Sequence, residues 1–270
     1  MRRIKRSLQS YLRQSLSGGL GALMFYTCLP VPLSVPLLSV PLEFRWVACW
    51  VPWVGGVVGG LLAIADWMLA AWQLPTSVAS VLVICAGIAI TGGLHLDGVM
   101  DAADGLAAPA EKEDLSRRLA VMSDSHMGAF GGMAAVVLIL LKVTALAAIA
   151  EHRTFILIMV AMWGRWAQQW AIAHYPYLKK AGKGAFHKAA LPTVWHALPS
   201  FLALLGLSGL SWASGWVPAE IVLRTVIGAI AFSGLTNAYF YQQLGGHTGD
   251  TYGAVVEWTE ALLLCSLSAG

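Results

Sequence analysis

The sequence predicts an all-α polytopic integral membrane protein, with about seven transmembrane helices preceded by an N-terminal interfacial or re-entrant segment. Three observations carry this reading. Of 270 residues, 58% are hydrophobic and only 11% charged, against roughly 25% charged in an ordinary soluble domain, and the mean hydropathy is +0.69. Seven apolar stretches cross a bilayer or come close to it, at about twenty residues per span. Lys and Arg collect on one side of the topology those spans define. No segment outside the apolar runs is large enough to form a second domain, so residues 1–270 are read as a single membrane-embedded domain.

The N-terminus, with Arg2, Arg3, Lys5, Arg6 and Arg13 spaced by Ile4, Leu8, Tyr11, Leu12 and Leu16, is a basic amphipathic pattern suited to an anionic membrane face; a solvated tail fits it equally. The apolar run from Gly18 to Leu29 is too short to span, and the prolines that follow break any helix. Residues 1–46 are therefore taken as interfacial, and no small-residue cleavage site marks a removable signal peptide. The expected spans lie near 47–70, 76–95, 132–150, 154–174, 197–214, 221–241 and 254–269. With the N-terminus inside, loops 96–131, 175–196 and 242–253 face the cytoplasm. Five of the 17 Lys and Arg then lie within residues 2–13 of the N-terminal segment. Three are in the first loop (Lys112, Arg117, Arg118) and four in the second (Lys179, Lys180, Lys183, Lys188), while the opposite face holds chiefly Arg153 and Arg224. The expected location is the bacterial cytoplasmic (inner) membrane, with the polar loops facing the cytoplasm. Cys28, Cys49, Cys85 and Cys265 stand singly in apolar surroundings and read as packing residues.

The chemistry concentrates in Thr91–Gly105, TGGLHLDGVMDAADG. Asp97, Asp101 and Asp104 follow the order D-x-x-x-D-x-x-D, which on a helix spans an arc of roughly 60°. Three like charges on one face repel, and a hard divalent cation shared with substrate phosphate is the usual remedy. The alternative is a helix cap or turn role. His95, two residues from Asp97, reads either as a satisfied interfacial histidine or as a group that orients a ligand or contacts phosphate. The stretch E-K-E-D-L-S-R-R reads as a solvated helix, and Asp124 either caps the next helix or joins the site.

The second loop, Y-P-Y-L-K-K-A-G-K-G-A-F-H-K, combines lysines with glycines and can close over phosphate. The third, G-G-H-T-G-D, offers backbone N–H groups beside His247 and Asp250. Glu257, Glu260, Lys142 and Arg165 fall inside expected spans, where ionisable residues suggest function and require partners; they are expected to pair with one another or with substrate phosphate. No Walker A loop, G-x-G-x-x-G or G-x-S-x-G is present, so phosphate handling would rest on a carboxylate-bound metal.

The motif G-G-L-H-L-D-G-x-x-D-x-A-D-G at 92–105 resembles the signature of the cobalamin synthase family, the adenosylcobinamide-GDP ribazoletransferases. Further likenesses follow in family order: F-Y-T-C-L-P-V-P at 25–32, M-S-D-S-H-M-G-A-F-G at 122–131, Arg165-Trp166, A-G-K-G-A-F at 181–186, and G-G-H-T-G-D-T-Y-G-A with Glu257 at 245–257. The resemblance covers essentially the whole chain. One departure is His126, where the family more often carries Arg. The resemblance implies a Mg²⁺-dependent transfer at the cytoplasmic membrane face, in which adenosylcobinamide-GDP receives alpha-ribazole or its 5′-phosphate and GMP leaves. It implies Asp97, Asp101 and Asp104 as metal ligands and Asp124 and Asp250 as further ligands or base. His95, Arg165, Lys183, His247 and Glu257 are the expected substrate contacts. The lipid bilayer is an expected partner, a homo-oligomer is compatible, and nucleic acid is not expected. D-x-x-x-D is also shared with CDP-alcohol phosphotransferases, whose longer D-G-x-x-A-R element is absent here. A transporter is a third reading, disfavoured because no internal repeat is visible.

Overall fold

A computed structural model describes residues 2–31, 46–108, 115–179 and 184–269. Helices follow one another as α1 (Arg2–Tyr26), α2 (Val47–Ala71), α3 (Thr76–Thr91), α4 (Leu94–Ala107), α5 (Leu115–Val121), α6 (Ala129–Ala148), α7 (Arg153–His174), α8 (Ala185–Ala190), α9 (Leu198–Ala213), α10 (Ala219–Leu244) and α11 (Gly249–Leu267). A 3₁₀ turn at Val194–His196 precedes α9. No strand occurs among the described residues, in line with the all-α expectation.

The bundle is built around α7, which is buried from Phe155 through Ala173 with the exception of Ile158 and Trp170. It packs against α2 and α11. The α2 contact is close because Gly55 and Gly59, one turn apart, face α7 backbone: a Cβ on either would collide with the Ala161 or Leu157 carbonyl. This is the small-xxx-small spacing by which membrane helices approach.

Among the described residues, four segments are long and apolar enough to cross a membrane: α2, α6, Val194–Ala213 and α10. A fifth crossing results if α3 and α4 count as one broken span. The stretches expected at 154–174 and 254–269 are helical as α7 and α11, yet they carry Arg165, Gln168 and Gln169, and Glu257 and Glu260. Neighbouring helices enclose both, so these polar groups meet protein and not lipid.

Three element boundaries differ from expectation. The helix expected over 76–95 ends at Thr91, because Gly92 (φ +60°) and Gly93 (φ +70°) are both left-handed, a region open to glycine at little cost. The chain turns 90° there and resumes as α4. The loop expected at 96–131 consequently contains α4 and α5. At the N-terminus α1 is a continuous helix, while most of the Pro-rich run lies outside the described residues.

The end of the bundle remote from the carboxylate motif is clamped by Arg153. Its Nε donates to Asp66 Oδ2 at 2.9 Å and its Nη2 to Asp66 Oδ1 at 2.6 Å. Nη2 also reaches Ser80 Oγ at 3.2 Å, and Nη1 caps the end of α6 through the Leu146 and Ile149 carbonyls. Four helices are tied at one point by a fork geometry that only arginine supplies.

Candidate active site

Asp97, Asp101 and Asp104 all lie on α4, which crosses the end of the bundle at right angles to α3. Gly98 lets α4 touch the start of α11: a Cβ there would collide with the Asp250 carbonyl. The contact brings Asp250 to Asp97 and Asp101, from far along the chain.

Asp250 sits in the first turn of α11, where the helix dipole favours negative charge. Thr248 caps this helix. Its Oγ1 accepts from the Thr251 N–H at 3.3 Å, Thr251 Oγ1 accepts from the Thr248 N–H at 2.8 Å, and Thr248 Oγ1 also donates to Asp250 Oδ2 at 3.1 Å. Lys179 Nζ donates to the same oxygen at 3.0 Å. Lys179 is delivered by a short bridge in which the His247 N–H donates to the Pro176 carbonyl and the Leu178 N–H to the His247 carbonyl, both at 2.9 Å.

Electrostatics single out Asp101. Burial, then the charges of Asp97 and Asp250, push its carboxyl up from its ordinary value to about 7, against the opposing pull of Lys179. Carboxylates that hold one another's charge in check make a site that favours a cation.

Asp104 has a separate engagement. Its Oδ2 accepts from the Gly128 N–H and its Oδ1 from the Gly131 N–H, each at 2.8 Å. It thus caps α6 from α4, the capping role that the sequence had left open. Asp124 is exposed and accepts from its neighbour His126 at both the backbone N–H (3.0 Å) and Nδ1 (2.7 Å), which holds it below the usual carboxylate range. It does not line the cavity described next.

A cavity of about 160 Å³ opens beside Asp97 and Asp250, and Tyr26, His95, Gln168, His187 and Tyr252 are among its other lining residues. His95 is buried and stacks on Tyr26, ring centroids 5.9 Å apart. Burial, then the charges of Arg165 and Lys142, hold its imidazole far below the usual histidine range, so it is neutral.

Arg165 and Glu257 lie deeper. Lys142 Nζ donates to Glu257 at 2.5 Å and to Glu260 at 2.7 Å, and Arg165 Nη1 donates to Glu260 at 2.9 Å. Two cations meet two carboxylates around a smaller cavity of about 50 Å³, so the quartet is balanced and ties α6, α7 and α11 together. The expectation that these intramembrane charges pair with one another holds. His247 is buried, held down to about 4 by its surroundings, with Nδ1 3.1 Å from Thr251 Oγ1; it braces the Lys179 bridge. Lys183 lies outside the described residues; among the described ones, Lys179 is found at the carboxylates.

Sequence reasoning missed Tyr26, Gln168 and His187. The signals were there: the tyrosine of the F-Y-T-C-L-P-V-P motif, an adjacent Gln pair inside an apolar helix, and the histidine near the end of the lysine loop.

Among the described residues no three His, Cys, Asp or Glu side chains stand close enough to hold a metal ion by themselves. The donor chemistry still suits magnesium, which commonly binds one or two carboxylates and completes its shell with water and substrate phosphate. Asp101, strained by its acidic neighbours, is where such an ion would relieve repulsion.

The sequence profile described as Cobalamin-5-phosphate synthase matches residues 18–268. Among curated relatives, the adenosylcobinamide-GDP ribazoletransferase of Trichormus variabilis is 48% identical over 92% of this chain and 95% of its own length. Those of Thermosynechococcus vestitus and a Synechococcus strain are 47% and 43% identical, over 93% and 92% of this chain and 96% and 95% of their own. No solved structure matches. The chain belongs to the cobalamin-5-phosphate synthase family.

Proposed function

We propose that this protein joins alpha-ribazole, or its 5′-phosphate, to adenosylcobinamide-GDP and releases GMP. The observation that carries the reading is that Asp97 and Asp250 border one cavity, and that their charges, after burial, push the carboxyl of Asp101 up to about 7. In the transfer, the ribazole hydroxyl oxygen forms a bond to the phosphorus nearest the cobinamide arm. The bond from that phosphorus to the oxygen of GMP breaks, and the hydroxyl proton is lost.

Asp97 and Asp101, with Asp250 beside them, would hold magnesium, which supplies charge neutralisation for the diphosphate and the departing GMP. Lys179, paired with Asp250 at 3.0 Å, is placed to exchange that partner for a phosphate oxygen. Asp250 is the carboxylate assigned to receive the hydroxyl proton, since it borders the cavity and is steadied by Thr248 and Lys179. The aromatic walls of Tyr26 and Tyr252 exclude water, which would otherwise compete with ribazole as nucleophile.

The same reading takes α2, α3, α6, α7, α9, α10 and α11 as seven crossings of the bacterial cytoplasmic membrane, with α4, Lys179 and Asp250 on the cytoplasmic side. The Lys and Arg distribution supports that orientation. The experiment supplies purified protein with labelled adenosylcobinamide-GDP. GMP release that requires ribazole is expected. Release without an acceptor, or incorporation of a CDP-alcohol instead, refutes the assignment.

A further inference from the structure

Four residues lining the larger cavity carry polar atoms that are buried and have no hydrogen-bond partner among the described residues: both ring nitrogens of His95, Oε1 of Gln168, Nδ1 of His187 and the hydroxyl of Tyr252. Native proteins leave few such atoms unpaired, and each calls for an explanation. Here five of them gather at one cavity.

A short relay defines what two of them offer. Gln168 Nε2 donates to the Tyr26 hydroxyl at 3.3 Å, and that hydroxyl lies 3.0 Å from His187 Nε2. A tyrosine hydroxyl carries one proton. Spent on Nε2, it leaves the His187 proton on Nδ1 as a free donor, while Gln168 Oε1 remains a free acceptor. Burial holds the His187 imidazole down to about 3, so this part of the cavity carries no charge.

The walls are flat. Tyr26 stacks between His95 (5.9 Å, 22°) and His187 (5.7 Å, 28°), and Phe25 meets Tyr26 edge-on at 4.8 Å. Among the described residues no Lys or Arg lines the cavity, and its charged members are Asp97 and Asp250. Among the described lining residues an anion meets two carboxylates and no cation, and Lys179 approaches only from beyond Asp250. A neutral, planar group with hydrogen-bonding edges meets every demand, and about 160 Å³ admits one such group and not a macrocycle.

We propose that Tyr26, His95, Gln168, His187 and Tyr252 form a binding site for an uncharged heteroaromatic nucleobase, adjoining the carboxylates that handle phosphate. The inference rests on the transfer proposed above and names the part of its substrates that this cavity takes. Two sources share that chemistry, the base of ribazole and the guanine of the GDP arm.

The test uses the full-length protein in lipid nanodiscs. Binding of alpha-ribazole and of guanosine, two uncharged nucleosides, is measured by equilibrium dialysis, which needs no turnover. One of the two is expected to bind, and Gln168→Leu and His187→Phe are each expected to weaken it at least tenfold, the cost of one buried hydrogen bond lost. Tyr26→Phe, which keeps the ring and removes the relay, provides a milder variant should the others fail to fold, and is expected to weaken binding severalfold.

In steady-state assays, a rise in KM for ribazole alone identifies the lower-base source. A rise for adenosylcobinamide-GDP alone, with protection by guanosine, identifies guanine. Either result supports the site. Wild-type protein that binds neither nucleoside, or folded variants that bind like wild type, would overturn it. Nucleoside binding without any GMP release would refute the transfer and leave the base site standing.

Discussion

Replacing Asp101 by Asn should stabilise the fold while abolishing transfer. An aspartate ordinarily titrates near 3.8, whereas Asp101 is pushed up to about 7. Between those values the folded chain holds a proton that the unfolded chain has released. Stability therefore falls as pH rises through that window, and the whole penalty stands above about 7. At about 1.4 kcal/mol per pH unit the full span would cost roughly 4 kcal/mol. Asp101 is only half-buried, so solvent screening reduces this to about 1–2 kcal/mol. The assay is thermal unfolding of wild type and Asp101→Asn in the same detergent. At pH 8 the variant should unfold several degrees higher, and near pH 4 the two should coincide. Magnesium with substrate should raise the wild-type midpoint and leave the variant unmoved. A variant that is less stable than wild type at pH 8, or that still releases GMP at wild-type rate, would refute the reasoning.

Other expectations follow from other parts of the molecule. Arg153→Ala leaves Asp66 buried without its partner and should destabilise the protein by about 3–5 kcal/mol, read as a lower unfolding midpoint; Arg153→Lys should recover only part, because the fork is lost. His187, held down to about 3 against an ordinary 6.5, stays neutral while the unfolded chain takes up a proton. Stability should therefore fall as pH drops below 6.5, at up to about 1.4 kcal/mol per pH unit for this group. The curve of unfolding midpoint against pH should be flatter between pH 6.5 and 4 in His187→Phe, and an unchanged curve would contradict the burial argument.

Local patterns in the sequence were readable where one helix sufficed to express them. The spacing of Asp97, Asp101 and Asp104 places them on one helix, and α4 carries all three. The apolar runs located the helices, and ionisable residues inside them announced the pairing of Lys142 with Glu257 and Glu260. Glycines were harder to read. Gly92 and Gly93 lie within an unbroken apolar pattern, and hydropathy does not distinguish a span that continues from one that turns 90°. Long-range placement was not legible. Asp104 and Asp97 have the same residue type and share a face, yet one caps α6 across 24 residues of chain and the other borders the cavity. Tyr26 and His187 meet across 161 residues, and neither residue alone suggests a cavity. Lys179 is brought to Asp250 by the two-bonded bridge to His247, a contact between two loops that no local pattern encodes.

The central claim is that the α4 and α11 carboxylates form the metal-dependent transfer site. Its most direct test measures GMP release from adenosylcobinamide-GDP and ribazole by purified wild type and Asp97→Asn, with magnesium supplied and then chelated. The account predicts release by wild type with magnesium, loss on chelation, recovery on adding magnesium back, and no release by Asp97→Asn under any condition. Release that persists in chelator, or wild-type release by Asp97→Asn, would contradict it.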